Sequence, residues 1–238
     1  MKTLKTQKPV GNTDLLPEQI IVNSITAAVS EQRVPAGTKL GEQMLSDLFG
    51  CNRANVRRAL STLATMHVVD IQPNRGAFVA TPSPKEAYDV FEARRTIERT
   101  IAHGVIDNVC TKDITEMRAT ITAEAEARAA GNKPAELRLS RIFHMHLALI
   151  AGNQVLERFL NELTLRTTLI IGLYNKVGLS SCAGDDHSHI VQAIEARDEA
   201  RLIWLLEEHL NHLEASLDFE YSAPPFSTLA EQLLITPN

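Results

Sequence analysis

Six of the eight histidines in this 238-residue chain stand in close pairs: His144 with His146, His187 with His189, and His209 with His212. Imidazole ligates divalent metals and titrates near neutral pH. Residues two apart on a helix point to nearly opposite sides, so neither of the first two pairs can chelate one ion. At most one member of each faces a core, whereas His209 and His212 can share a face. One inward imidazole from each of three helices would build a half-open divalent-metal site completed by water or a ligand. The plainer reading is a set of surface or hydrogen-bonded core histidines. Arg94 is a further candidate, because it lies in an apolar stripe with Val90, Ile97 and Ile101. A guanidinium so placed either pairs with Glu98, one turn on (or snorkels out to water), or clamps a carboxylate ligand through two parallel hydrogen bonds.

Different chemistry is suggested between Glu42 and Val79. Glu42–Phe49 is a short amphipathic segment with apolar Met44, Leu45, Leu48 and Phe49. Gly50 and Cys51 read as a tight corner, and Asn52 has the short side chain that caps a helix. The spacing then predicts a helix with Val56, Ala59, Leu60 and Leu63 on one face. Ala54, Arg57, Arg58 and Ser61 fall on the other, with Arg53 at the boundary. A helix, tight turn and arginine-bearing helix is a DNA-recognition pattern, in which the second helix enters the major groove. Val68–Ile71, a turn at Pro73-Asn74-Arg75-Gly76, and Ala77–Val79 predict a β-hairpin directly after it. The expected unit is a winged helix–turn–helix with Arg75 and Gly76 at the wing tip. Asn52, Arg53, Asn55, Arg57 and Arg58 are its other candidate DNA contacts.

The remaining elements position these residues. Pro17 opens a helix with Ile20, Ile21, Ile25, Ala28 and Val29 inward, and Glu31–Leu40 reads as a turn-rich connection. Thr81-Pro82-Ser83-Pro84 breaks regular structure. Beyond it, three- and four-residue apolar spacing predicts helices near 85–108, 112–130, 136–151, 153–177, 186–196 and 198–220, with no convincing strand. Breaks fall at Asn132-Lys133-Pro134, Gly152-Asn153, Gly178–Gly184 and near Asp198. The predicted architecture is mainly α: an N-terminal winged helix–turn–helix with a small β-hairpin wing, then an all-α antiparallel helical bundle. The expected domains are 14–81 for DNA binding, 82–85 as linker, and 86–222 for effector binding and dimerisation. Segments 1–13 and 223–238 are expected to be flexible tails.

The overall net charge of −5 does not advertise nucleic-acid binding, but its distribution does. Residues 1–80 hold 9 Lys and Arg against 6 Asp and Glu, while the remainder holds 15 against 23. Such asymmetry suggests a binding domain joined to something else. Cys51, Cys110 and Cys182 form no Cys-x-x-Cys pair, which fits a reducing cytoplasm and excludes a thiolate zinc site. The run Leu163–Tyr174 is too short and too interrupted to span a bilayer, and no signal peptide is evident. A soluble cytoplasmic protein is expected.

Pro35–Leu40 and Asn52–Leu60, with Asn74, Gly76 and Val79, resemble the GntR family of bacterial repressors. Arg53, Val56, Arg57, Ala59 and Leu60 match that family's helix pattern, while Asn52 stands for its usual Ser and Arg58 for its usual Glu. Residues 85–220 resemble the FCD domain, the helical effector module of the FadR-type branch. The matching stretches are Glu92-Ala93-Arg94 with Glu98, Phe143-His144 before Gly152-Asn153, His187–Ile190, and Asp198 leading to His209. The resemblance implies a divalent-metal site, zinc or nickel, at His144, His187 and His209, with Ser140 where an Asp is usual. It also implies a homodimer on a palindromic double-stranded operator, released when a small organic acid binds near Arg94. The competing reading is a metal-dependent enzyme on the bundle with a DNA-binding or docking domain. Against it, no His-Glu-x-x-His, di-iron Glu-x-x-His, P-loop or Gly-x-Ser-x-Gly motif occurs, and no enzyme is expected.

Overall fold

The computed structural model describes residues 15–175 and 185–220. The segments 1–13 and 223–238 expected to be flexible, and the break at 178–184, lie outside the described residues. Nine helices and three short strands are present among the described residues. The N-terminal unit runs α1 (Pro17–Ser30), β1 (Lys39–Leu40), α2 (Glu42–Phe49), α3 (Arg53–Thr65), β2 (Val69–Gln72) and β3 (Gly76–Val79). α2 ends at Gly50, whose φ of 59° is a left-handed conformation that glycine adopts without a Cβ penalty. Asn52 caps α3, its side-chain oxygen accepting from the Asn55 amide at 2.9 Å. The face buried on α3 is Val56, Ala59, Leu60 and Leu63, the set the spacing predicts. These pack with Ile21, Ile25, Leu45 and Val79 in one core.

The sheet departs from the expected hairpin by one strand. β2 and β3 form the antiparallel hairpin, and β1 adds to the far side of β3, pairing Lys39 with Phe78 and Leu40 with Ala77. A two-residue strand cannot display alternation, so Lys39–Leu40 reads as connection in the sequence.

The C-terminal unit is helical: α4 (Pro84–Asn108), α5 (Thr111–Ala129), α6 (Lys133–Ala151), α7 (Gln154–Tyr174), α8 (Asp186–Glu195) and α9 (Glu199–Ala215). Apolar faces from α4, α5, α6, α8 and α9 share a core that includes Ile101, Met117, Phe143, Ile190 and Leu202. Arg197 crosses to the end of α4, where its guanidinium donates to the Ile106 carbonyl and, at 2.9 Å, to that of Val109. It therefore satisfies carbonyls that a helix end leaves without partners.

α7 belongs to both units. Leu165 and Leu169 join the winged core, while Leu163, Ile170 and Ile171 pack with Phe91, Leu210 and Leu213. Gln32, just past α1, donates to the Thr168 carbonyl at 3.3 Å. Arg166 pairs with Glu86 at 2.6 Å, and the Tyr174 hydroxyl donates to the Pro82 carbonyl at 2.8 Å.

Where α4 meets the end of α6, Gly104 permits close backbone contact. A Cβ there would lie 2.8 Å from the Ala151 carbonyl oxygen and 3.0 Å from its Cα. Both are backbone atoms, so the two helices would have to separate. Gly104→Ala is expected to destabilise by about 1–3 kcal/mol, outweighing alanine's intrinsic helix advantage of about 1 kcal/mol. Urea unfolding checks this, and a raised midpoint would contradict the close approach.

Candidate functional site

One histidine of each sequence pair turns inward. His144, His187 and His209 are buried, on α6, α8 and α9, whereas His189 and His212 are exposed and His146 is half-buried. Each of the three carries one ligating nitrogen within 4.8 Å of the other two. Their outer nitrogens all meet carboxylates: His144 Nδ1 is 3.1 Å from Glu98, His187 Nδ1 2.7 Å from Glu124, and His209 Nδ1 3.2 Å from Asp186. A carboxylate oxygen accepts, so these contacts place the ring proton on Nδ1 and leave a lone pair on Nε2. The Nε2 atoms of His144 and His209 are 3.3 Å apart, and that of His187 is buried with no hydrogen-bond partner. A cation can satisfy lone pairs that face one another out of water, and carboxylate-backed imidazoles are the usual form of a metal-ligating set. The donor set fits a divalent ion. Burial lowers His144 to about 4 and His209 to about 3, so both are neutral near pH 7, as metal ligation requires.

Glu98 joins this centre to Arg94. One oxygen accepts from Arg94 Nε at 2.5 Å and the other faces His144 Nδ1, with all three side chains buried. Burial by itself would raise the Glu98 carboxyl. Arg94 and His144 outweigh that and hold it well below the usual carboxylate range. Of the two readings of Arg94, the internal pair with Glu98 is therefore present, though Arg94 also borders a cavity.

That cavity, of about 30 Å³, lies beside the histidine centre. Arg94, Ser140, Arg141, His144 and His209 line its polar side. Thr164, Thr167 and Thr168 of α7 line another part. All three threonine hydroxyls donate to backbone carbonyls within the helix, at 3.0, 2.8 and 3.0 Å, which leaves each oxygen able to accept but not donate. Arg141 donates to the Asn161 side chain, and its Nε is buried without a partner. Among the described residues no carboxylate pairs with it, and burial lowers its guanidinium from the ordinary value. Sequence reasoning did not single out Arg141, Glu124 or Asp186, because an acid or an arginine in a helical stretch normally reads as solvated surface.

On the winged unit, α3 and the wing tip carry the candidate DNA contacts. Arg53, Arg57 and Arg58 are exposed on α3, and Asn74 with φ 60° turns the chain so that Arg75 and Gly76 form the exposed wing tip. Each α3 arginine is held by a neighbour: Arg53 donates to Gln43 at 2.9 Å, Arg57 pairs with Glu42 at 2.9 Å, and Arg58 with Glu18 at 2.9 Å. Asn55 accepts from Arg58 at 2.7 Å. Arg75 and Lys39 both lie over the Phe78 ring, 5.6 and 5.9 Å from its centre. The surface pairs are worth little individually, so a phosphate or base edge competes with them readily.

Comparison with known proteins agrees with this division. Residues 17–79 match the model of the bacterial regulatory proteins of the gntR family, and residues 89–212 match the FCD domain. A probable D-xylose utilization operon transcriptional repressor of Paenarthrobacter nicotinovorans is 25% identical, over 79% of this chain and 81% of that relative. The transcriptional repressor GlaR of Escherichia coli is 27% identical, over 72% and 82%. In fold the chain is similar to McbR/YncC of E. coli, with TM-score 0.75 at 15% identity over 84% of this chain and 96% of that one. A GntR regulator of Rhodococcus gives TM-score 0.70 at 18% identity over 83% and 95%.

Glu98 carries the clearest energetic expectation. Glu98→Leu leaves the Arg94 guanidinium buried without its carboxylate, and loss of one partner of a buried pair costs about 3–5 kcal/mol. Chemical denaturation measures it. A loss below about 1 kcal/mol would mean that Arg94 finds water or another acceptor.

Proposed function

The chain belongs to the gntR family of bacterial regulatory proteins and carries its FCD domain, and from that premise we propose a repressor released from its operator by a small organic acid. The observation that carries this reading is the double role of α7. Its threonines line the cavity beside the histidine centre, while Leu165 and Leu169 pack into the core of the winged unit. A ligand that alters the packing of α7 therefore changes the energy of the DNA-binding unit's own core. It shifts DNA affinity only as far as it binds the two arrangements unequally. Repression, more than activation, is favoured by the relatives named as repressors.

In this reading Arg53, Arg57 and Arg58 enter the major groove, Asn52 and Asn55 lie at its edge, and Arg75 and Gly76 approach the minor groove. A homodimer joined through the helical domains reads a short palindrome. Ile142 and Leu149 on α6, with Val155 and Phe159 on α7, are exposed apolar side chains suited to such an interface. The protein works where bacterial DNA is, in the cytoplasm. Among the described residues no helix is long and apolar enough to cross a membrane.

His144, His187 and His209 would hold zinc or nickel, which nitrogen-rich sites favour. Ser140 is a weak neutral ligand, so water or an effector oxygen would complete the shell. When bound, the ion supplies a positive point for a carboxylate oxygen. Arg141 would take the carboxylate's other side, with Arg94 held by Glu98 as the rim of the cavity. The threonine oxygens, their protons already donated, suit an effector that carries hydroxyl donors.

Two measurements test this. Duplexes recovered by selection from random DNA should bind with an affinity that falls steeply with salt, and Arg57→Ala should weaken them by about 1–3 kcal/mol. Flat salt dependence or unchanged affinity would remove α3 from the interface. Mass spectrometry of untagged protein should find at least one ion per chain, held by the three-histidine shell. His209→Ala should lose that ion while DNA binding without effector persists; normal metal content in that variant would exclude His209 as a ligand.

A further inference from the structure

The inward turn of His144 directs its sequence neighbour His146 to the other side of α6, where it meets the start of α5. There Asp113, Glu116 and His146 each bring one donor atom within 4.8 Å of the other two. His146 Nε2 lies 3.9 Å from Asp113 Oδ1 and 3.6 Å from Glu116 Oε2. Both separations are too long for hydrogen bonds. They suit two donors that share one ion, since metal–ligand bonds of about 2.0–2.2 Å at tetrahedral angles set donors roughly 3.4 Å apart. We propose that Asp113, Glu116 and His146 form a second divalent-cation site, of zinc-like chemistry, that pins the first turns of α5 to α6.

The three groups are oriented for this. Cys110, the residue before α5, donates its backbone N–H to Asp113 Oδ2 at 2.9 Å, which leaves Oδ1 directed at His146. Such an outer contact fixes a carboxylate for ligation. The His146 side chain is 12% exposed and that of Glu116 51%, so two ligands come from a sheltered wall and one from the rim. Water completes the shell on the open side. Lys112 also lies at the rim, its ammonium 3.6 Å from Glu116 Oε1, and competes for that carboxylate. The positive end of α5 also opposes a cation, so binding is weaker here than at a buried three-histidine centre. Its consequence is mechanical: α6 carries Ser140, Arg141 and His144, and an ion at this site braces the helix that presents them.

The site does not depend on the proposed effector reading, and the test keeps them apart. Bound zinc is measured by equilibrium dialysis and mass spectrometry in the full chain, in Glu116→Gln, in His146→Gln and in His144→Ala. Glu116→Gln is exposed and nearly isosteric, so folding is preserved. Both Glu116→Gln and His146→Gln should weaken the lower-affinity ion at least tenfold, whether or not His144→Ala removes another. Cobalt substitution in the His144→Ala chain should give visible absorption of a four-coordinate ion, lost on Glu116→Gln. Unchanged zinc affinity in both the Glu116 and His146 variants would overturn the proposal, as would cobalt absorption that survives Glu116→Gln. Loss of an ion only in His144→Ala would support the three-histidine centre and exclude this one.

Discussion

A carboxylate with almost no access to water organises the helical unit. Glu98 faces Arg94 with one oxygen and His144 with the other, and no single member of the trio could be buried at tolerable cost alone. The ion pair balances charge within α4, and the contact to His144 fixes the imidazole's tautomer on α6. Repetition of this arrangement, with Glu124 behind His187 and Asp186 behind His209, turns three separate burials into one inward-facing donor set. The helical core and the histidine centre are therefore one construction.

At the winged end the logic is reversed. The polar groups are exposed, their pairs are weak, and each arginine of α3 has a partner inside its own unit. Glu42 and Glu18 keep Arg57 and Arg58 extended in defined directions, which reduces the side-chain freedom lost when a new acceptor arrives. In the proposed complex the carboxylates are also acceptors that DNA would displace. Part of any phosphate attraction is thereby offset, so tight binding calls for base contacts as well as charge.

Much of this was legible before the fold was known. The buried face of α3, the Asn52 cap and the Gly50 corner follow from local rules that act within a few residues. The inward histidines followed only in part. Spacing says that His144 and His146 part company, but the core into which His144 turns is built from α4, α8 and α9. Glu124 and Asp186 were invisible because a carboxylate behind an imidazole is a contact between distant segments. Arg94 kept two readings because its partner, Glu98, sits at the spacing of an ordinary surface pair. β1 was too short to register at all. What the sequence hid is what only tertiary packing decides.

The shared helix α7 has an evolutionary corollary. Successive residues on a helix are about 100° apart, so Thr164, Thr167 and Thr168 on one face fix where Leu165 and Leu169 must point. A one-residue insertion in α7 would swing the cavity wall away and withdraw the leucines from the winged core together. Length changes there are closed to drift. New effector preferences in this lineage must come by exchanging individual side chains on an unchanged helical frame, with the DNA-binding unit judging each exchange through its own stability.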